Sequence, residues 1–209
     1  MVTNVYIDGF NFYYGCMRGT PYRWLNLEAF CERLLPKDDV NRIRYFTAMV
    51  SSRPDDPGAP LRQKTYLRAL ATLPHVSIHL GHFLTNRVRM PMAKPSAVGP
   101  KTVEVIKTEE KGSDVNLASL LLLDGFNRDC DTVVIISNDS DLREPVRIAR
   151  RELGLTVGVA NPHKPRFRSL ELSAHAHFFK QVRMSALAAC QFPPVLTDAK
   201  GSFHKPDSW

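Results

Sequence analysis

Apolar and polar positions alternate along the chain in blocks that switch between strand and helix periods. Val2–Ile7 is apolar and β-branched and stops at Asp8-Gly9, which predicts a buried strand ending on a carboxylate. Leu25, Leu27, Ala29, Phe30, Leu34 and Leu35 fit a helix that stops at Pro36. Val40–Val50 reads as a second strand, 51–60 as a Pro- and Asp-bearing loop, and Leu61–Leu73 as a helix with Arg62, Lys64 and Arg68 facing out. Val76–Leu84 reads as a third strand, and Arg87–Pro100 as the least regular segment. Thr102–Lys107 alternates like an exposed strand able to pair near Phe83 as a hairpin. Ser113–Phe126 is strongly helical. Thr132–Ser137 and Leu155–Ala160 are continuous apolar runs, the pattern of strands covered on both faces. Leu142–Leu153 between them reads as a helix with Gly154 as its C-cap. Leu170–Ala176 reads as a short helix and His177–Val182 as a last strand.

Strands alternating with helices predict an α/β fold: a three-layer sandwich around a mostly parallel central sheet, plus a small exposed hairpin. The expected division is one domain over residues 1–185 and a mobile C-terminal tail over 186–209, where prolines and small polar residues accumulate.

Composition narrows the class. At 44% hydrophobic the 209-residue chain has enough apolar material for a core. No apolar run approaches the roughly 20 residues of a membrane span, and the N-terminus lacks the basic-then-apolar pattern of a signal peptide. Cys16, Cys31, Cys130 and Cys190 are scattered, with no C-x-x-C pair, so reduced thiols and a cytoplasmic location are expected. The net charge of +7 favours an anionic partner, of which nucleic acid is the commonest.

In open α/β sheets ligands bind outside the carboxyl ends of the strands. Asp8, Gly9 and Asn11 follow the first strand. Ser137, Asn138, Asp139, Ser140 and Asp141 follow the strand at 132–137, and Asn161 and Pro162 the last covered one. Asp114 opens the helix at 113–126. Singly, each acid has an ordinary explanation: Asp or Ser before a helix is a cap, and Asp-Gly is a turn. Together they converge on one sheet edge, and gathered carboxylates repel one another unless a cation compensates. A hard divalent ion such as Mg²⁺ suits oxygen ligands of this kind.

Other residue groups bear on that edge. Residues 87–111 carry six Lys and Arg against three Glu, and 143–168 carry seven against two; both could follow a phosphate backbone. Arg87 and Arg89 belong to the first group, as does Lys111, next but two to Asp114. Phe10, Phe12, Tyr13 and Tyr14 either stack on unpaired bases or pack the core under the loop. His75 and His79, on one strand, lie too far apart to share a metal.

Three segments together resemble the NYN-domain family of the PIN-like nuclease group: VYIDGFN at Val5–Asn11, KGSD at Lys111–Asp114 followed by NLASLL at Asn116–Leu121, and IISNDSDL at Ile135–Leu142. Their order and spacing agree from Val2 to about Pro162. The resemblance implies a parallel sheet with an acidic metal site at Asp8, Asp114, Asp139 and Asp141. Asn11 matches a polar residue after the first strand, Ser137 a small hydroxyl position, and Lys111 a lysine before the helix aspartate. Asn138 stands where such proteins often carry glycine, and asparagine also tolerates a left-handed backbone.

On this reading the protein is a Mg²⁺- or Mn²⁺-dependent endoribonuclease. Asp8, Asp114 and Asp139 are the metal ligands. Asp141 orients a water or completes a second metal site. Asn11, Lys111, Ser137 and Asn138 line the substrate path. The resemblance implies 5′-phosphate and 3′-hydroxyl products. RNA is the expected partner, no membrane is, and a homodimer would lengthen the basic groove. Two alternatives stand: a non-catalytic RNA-binding adaptor, and a phosphatase suggested by the D-x-D pattern at Asp139–Asp141. The phosphatase reading lacks a nucleophile-plus-lysine set. A redox nucleotide site is weaker, since no G-x-G-x-x-G follows the first strand and no P-loop motif occurs.

Overall fold

The computed structural model describes residues 1–95 and 97–209. Strand β1 is Val2–Asp8, followed at once by the short helix α1, Gly9–Phe12, which continues as a wider turn over Tyr13–Met17. Next come α2 at Leu27–Leu34, β2 at Asp39–Thr47, α3 at Ala59–Leu70 and β3 at Val76–Leu80. Strands β4 (His82–Pro91) and β5 (Thr102–Lys111) precede α4 at Ser113–Phe126. The order then runs β6 (Thr132–Ile136), α5 (Arg143–Arg151), β7 (Thr156–Asn161), α6 (Leu170–His175) and β8 (Phe178–Gln181). Helix α7 (Met184–Ala189) and strands β9 (Val195–Asp198) and β10 (Gly201–His204) complete the chain.

Six strands form one parallel sheet in the order β3-β2-β1-β6-β7-β8. Side chains alternate across it, which builds the three layers. Val5, Ile7, Val134 and Ile136 face one cluster with Phe30 of α2, Leu70 of α3 and Leu187 of α7. Tyr6, Val133, Ile135 and Val157 face the other, with Leu117 and Leu121 of α4, Val146 of α5 and Leu172 of α6. Covered on both sides, β6 is wholly buried, as its unbroken apolar run requires.

A buried ionic network ties α4 to the sheet. Arg44 on β2 donates to both carboxylate oxygens of Asp124 at 2.7 Å, and the Tyr6 hydroxyl donates to Asp124 Oδ2 at 2.7 Å. The Arg44 guanidinium also meets His79 Nε2 at 3.2 Å, and the His79 ring stacks on Phe46. Burial, then the Arg44 charge, lowers the His79 pKa. His79 is thus a structural histidine. Removing one partner from a buried pair of this kind costs about 3–5 kcal/mol.

Three segments depart from the sequence reading. The third strand divides at Gly81, and β4 then runs through most of the segment expected to be irregular. Its antiparallel partner β5 is ten residues long, with Phe83 opposite Glu110 and Thr102 opposite Pro91. Thr102–Lys107 therefore pairs with residues 86–91 and not with those near Phe83. Asp8-Gly9 opens a helix instead of a turn. Residues 186–209, expected to be a mobile tail, pack on the domain. Phe192, Phe203 and Trp209 surround Trp24 with ring centroids 5.7, 6.5 and 6.4 Å away, and the Trp24 indole donates to the Pro193 carbonyl. Arg68 of α3 holds Asp198 through two hydrogen bonds and lies over the Phe203 ring. Phe203→Ala is therefore expected to lower unfolding stability by about 3 kcal/mol, measured by urea denaturation; a change below about 0.5 kcal/mol would mean that the segment adds nothing to the fold.

Candidate metal centre

The sheet order reverses between β1 and β6, so the connections leaving their carboxyl ends diverge to opposite faces. Asp8 ends β1, and Ser137–Asp141 follow β6 in the adjacent position, with Ile7 opposite Ile136. Asp8 Oδ1 accepts from the Asn11 backbone N–H at 3.0 Å and caps α1; Oδ2 accepts from the Ser137 hydroxyl at 2.9 Å. The same hydroxyl oxygen accepts from the Asp139 backbone N–H at 3.1 Å. Asp139 Oδ1 in turn caps the single turn Ser140–Leu142 through the Asp141 N–H. Capping and gathering are thus one arrangement. Each capping carboxylate keeps oxygen lone pairs free while helix N-termini temper its charge.

The third acid arrives from β5. Gly112 has φ of 95°, a conformation that favours glycine, and it turns the hairpin into α4 with Asp114 in the first helical turn. Glu110 fastens this turn: its carboxylate accepts from the Ser113 N–H at 3.1 Å and from the Ser113 hydroxyl at 2.6 Å.

Asp8, Asp114 and Asp139 each present an oxygen such that the three lie within 4.8 Å of one another. Asp8 is 6% exposed, and Asp114 and Asp139 are more open to solvent. Burial is the first cause that raises the Asp8 pKa, opposed by its bonds from Asn11 and Ser137 and assisted by the charges of Asp139 and Glu110. Asp114 is pushed up to about 6, by burial first and then by Asp8, Asp139, Glu110 and Asp141. Among the described residues no Lys or Arg pairs with any of the three acids. Three hard oxygen donors with their charge uncompensated fit a divalent cation.

The remaining candidates divide. Asn11 Oδ1 accepts from the Asn138 N–H at 3.0 Å and lies 3.2 Å from His163 Nε2. The Asn138 side chain donates to the Phe167 carbonyl and accepts from the Ser169 N–H. Asn11, Ser137 and Asn138 therefore lock the loops that carry the acids. Asp141 is exposed, outside the triplet, though close enough for its charge to act on Asp114. Lys111 pairs with Glu109 at 3.7 Å and is exposed. Phe12 is core, whereas Tyr13 and Tyr14 line an adjoining cavity. Glu110 and His163 were missed by sequence reasoning. The one signal for Glu110 was its place beside Lys111-Gly112; His163 had none. All four cysteines are free thiols, and no described helix is long and apolar enough to cross a membrane.

Comparison with known proteins bears on this geometry. Residues 2–185 match the NYN domain. The chain is 32% identical to the 6-hydroxy-3-succinoylpyridine 3-monooxygenase HspA of Pseudomonas putida, an alignment covering 99% of this chain and 75% of that protein. A crystal structure of a protein of unknown function from Vibrio parahaemolyticus superposes with a TM-score of 0.56 at 18% identity, covering 88% of this chain and 93% of the other, which is a likeness of fold.

The pKa displacement gives a signed expectation. Asp114 binds its proton more tightly in the folded chain than at the ordinary 3.8, so without metal the fold loses stability as pH rises from about 4 to about 6. A bound cation needs the carboxylates ionised. Mn²⁺ is therefore expected to raise Tm at about pH 7.5 and to raise it much less at about pH 5, and Asp114→Asn to shrink the pH 7.5 effect. A rise equal at both pH values and in the variant would place the ion elsewhere.

Proposed function

The chain belongs to the NYN domain family, and from that membership we propose that it cleaves RNA phosphodiesters with a divalent metal, Mg²⁺ or Mn²⁺, held by Asp8, Asp114 and Asp139. The observation that carries the reading is the convergence of these carboxylates within 4.8 Å at the point where the sheet order reverses. Such an ion supplies Lewis acidity: it lowers the pKa of water and offsets charge building on phosphate.

The chain's own groups then have distinct tasks. Ser137 joins Asp8 to Asp139 and sets their spacing. Glu110 and Gly112 fix the turn that delivers Asp114. Asp141, exposed and close enough for its charge to act on Asp114, would orient a water or complete a second metal site. The β4–β5 arm extends beside Asp114 with Arg87 and Arg89 exposed on it. Beyond β7, Arg166 lies over Phe167 and Arg168 over Phe179, with Lys164 nearby. These exposed cations would hold a phosphate backbone in a salt-dependent way.

A second reading rests on the Pseudomonas putida relative, whose name assigns it a monooxygenase activity and whose similarity covers 99% of this chain. Insertion of one oxygen atom from O₂ into a pyridine ring, with the other reduced to water, consumes two electrons and two protons. It would show as O₂ uptake with 6-hydroxy-3-succinoylpyridine and NADH or NADPH.

Labelled mixed-structure RNA separates these readings. Wild type with Mn²⁺ or Mg²⁺ is expected to cut it and EDTA to stop it. Asp139→Asn should lower the rate by roughly 100-fold or more with little change in Tm, and Ser137→Ala by about tenfold. Equal cutting by wild type and Asp139→Asn would contradict the assignment. Salt-sensitive RNA binding without turnover would favour an adaptor role, and substrate-dependent O₂ uptake the monooxygenase reading.

A further inference from the structure

A cavity of about 200 Å³ opens beside α1, and Gly9, next to Asp8, lines it. Its walls are aromatic. Tyr13 and Tyr14 come from the α1 segment, Tyr45 from β2 and Trp209 from the packed C-terminal segment. Tyr13 and Tyr14 meet edge to face at 5.3 Å. A Cβ on Gly9 would stand 2.8 Å from the Tyr45 hydroxyl and 2.5 Å from the Phe46 carbonyl oxygen, so only glycine lets β2 and α1 close around this space.

The charged groups at the mouth are unequal. Arg62 is engaged by Asp56 through both carboxylate oxygens at 2.5 Å. Arg23 is partly used, donating to the Thr20 and Ser208 carbonyls. Arg18, which lies over the Tyr14 ring, and Arg53 pair with no carboxylate among the described residues. Asp55 is the acid that remains to oppose them. Flat walls favour a ring, by stacking or edge contacts, and free guanidiniums favour phosphate or carboxylate. The volume lies below the roughly 300 Å³ at which pockets for drug-sized ligands begin, which suits one ring with a short substituent.

We infer that this cavity binds a single aromatic ring bearing an anionic group, with the ring between the tyrosines and Trp209 and the anion on Arg18 and Arg53. Two sources share this chemistry: a nucleotide of a nucleic-acid strand, and a free aromatic carboxylate. The inference does not depend on the metal cluster, because binding here is measurable without turnover.

Uridine 5′-monophosphate and benzoate serve as probes, with uridine and phenol as their uncharged counterparts. Each is titrated into the full chain to about 10 mM by saturation-transfer NMR and tryptophan fluorescence, in EDTA. At least one anionic probe is expected to bind at least about tenfold more tightly than its uncharged counterpart. The double variant Arg18→Glu/Arg53→Glu, at exposed positions, should remove that preference with Tm unchanged. Binding of uridine 5′-monophosphate alone would identify a nucleotide subsite, and of benzoate alone an aromatic-acid site. No binding by either anion, equal binding of charged and uncharged rings, or an undiminished preference in the double variant would overturn the inference.

Discussion

Three carboxylates held within 4.8 Å of one another repel, and much of the surrounding structure meets that cost. Asp8 and Asp139 are each bound by a backbone N–H at the start of a helical turn, and Ser137 bridges them. Asp114 is held at the start of α4, whose other end is fixed to the sheet by Arg44 and Tyr6 on Asp124. Fixed in this way the acids cannot separate to relieve their repulsion. Burial first, then that repulsion, raises the Asp114 pKa, and the three oxygens are arranged to suit a divalent cation.

The residues that carry this constraint were readable in the sequence because each is tied to a strong local signal. The covered strands at 132–136 and 156–161 are continuous apolar runs, and an acid directly after such a run falls at a sheet edge. Asp114 sits one residue inside a helix whose start was read without error. What escaped notice depends on contacts between segments far apart in the chain. Glu110 looks like a solvated strand residue until its carboxylate is seen to cap Ser113. Lys111 and Glu109, two apart on β5, share a face and pair there.

The same distinction explains the larger misreadings. Strand β4 is exposed over most of its length, so its second half lacks the apolar alternation that marks a half-buried strand, and Pro91 and nearby charges suggest a loop. The segment after Cys190 has loop-like composition, but Phe192, Phe203 and Trp209 are spaced irregularly along it and meet only around Trp24. No period in the sequence reports such a cluster. The fold alone does not fix the reaction: a relative 32% identical to this chain is named for oxygen insertion, not for hydrolysis. Asp8 belongs to the acid cluster, and Gly9, Tyr13, Tyr14 and Met17 line the aromatic cavity, so one short segment contributes to both.

The central claim is that Asp8, Asp114 and Asp139 form one cation site. Anomalous X-ray scattering from crystals grown with Mn²⁺ at about pH 7.5 tests it directly. The account predicts a strong manganese peak in contact with oxygens of all three carboxylates, absent from crystals of Asp8→Asn. A well-ordered triplet with no peak between its carboxylates, or manganese bound only at other acids, would contradict it.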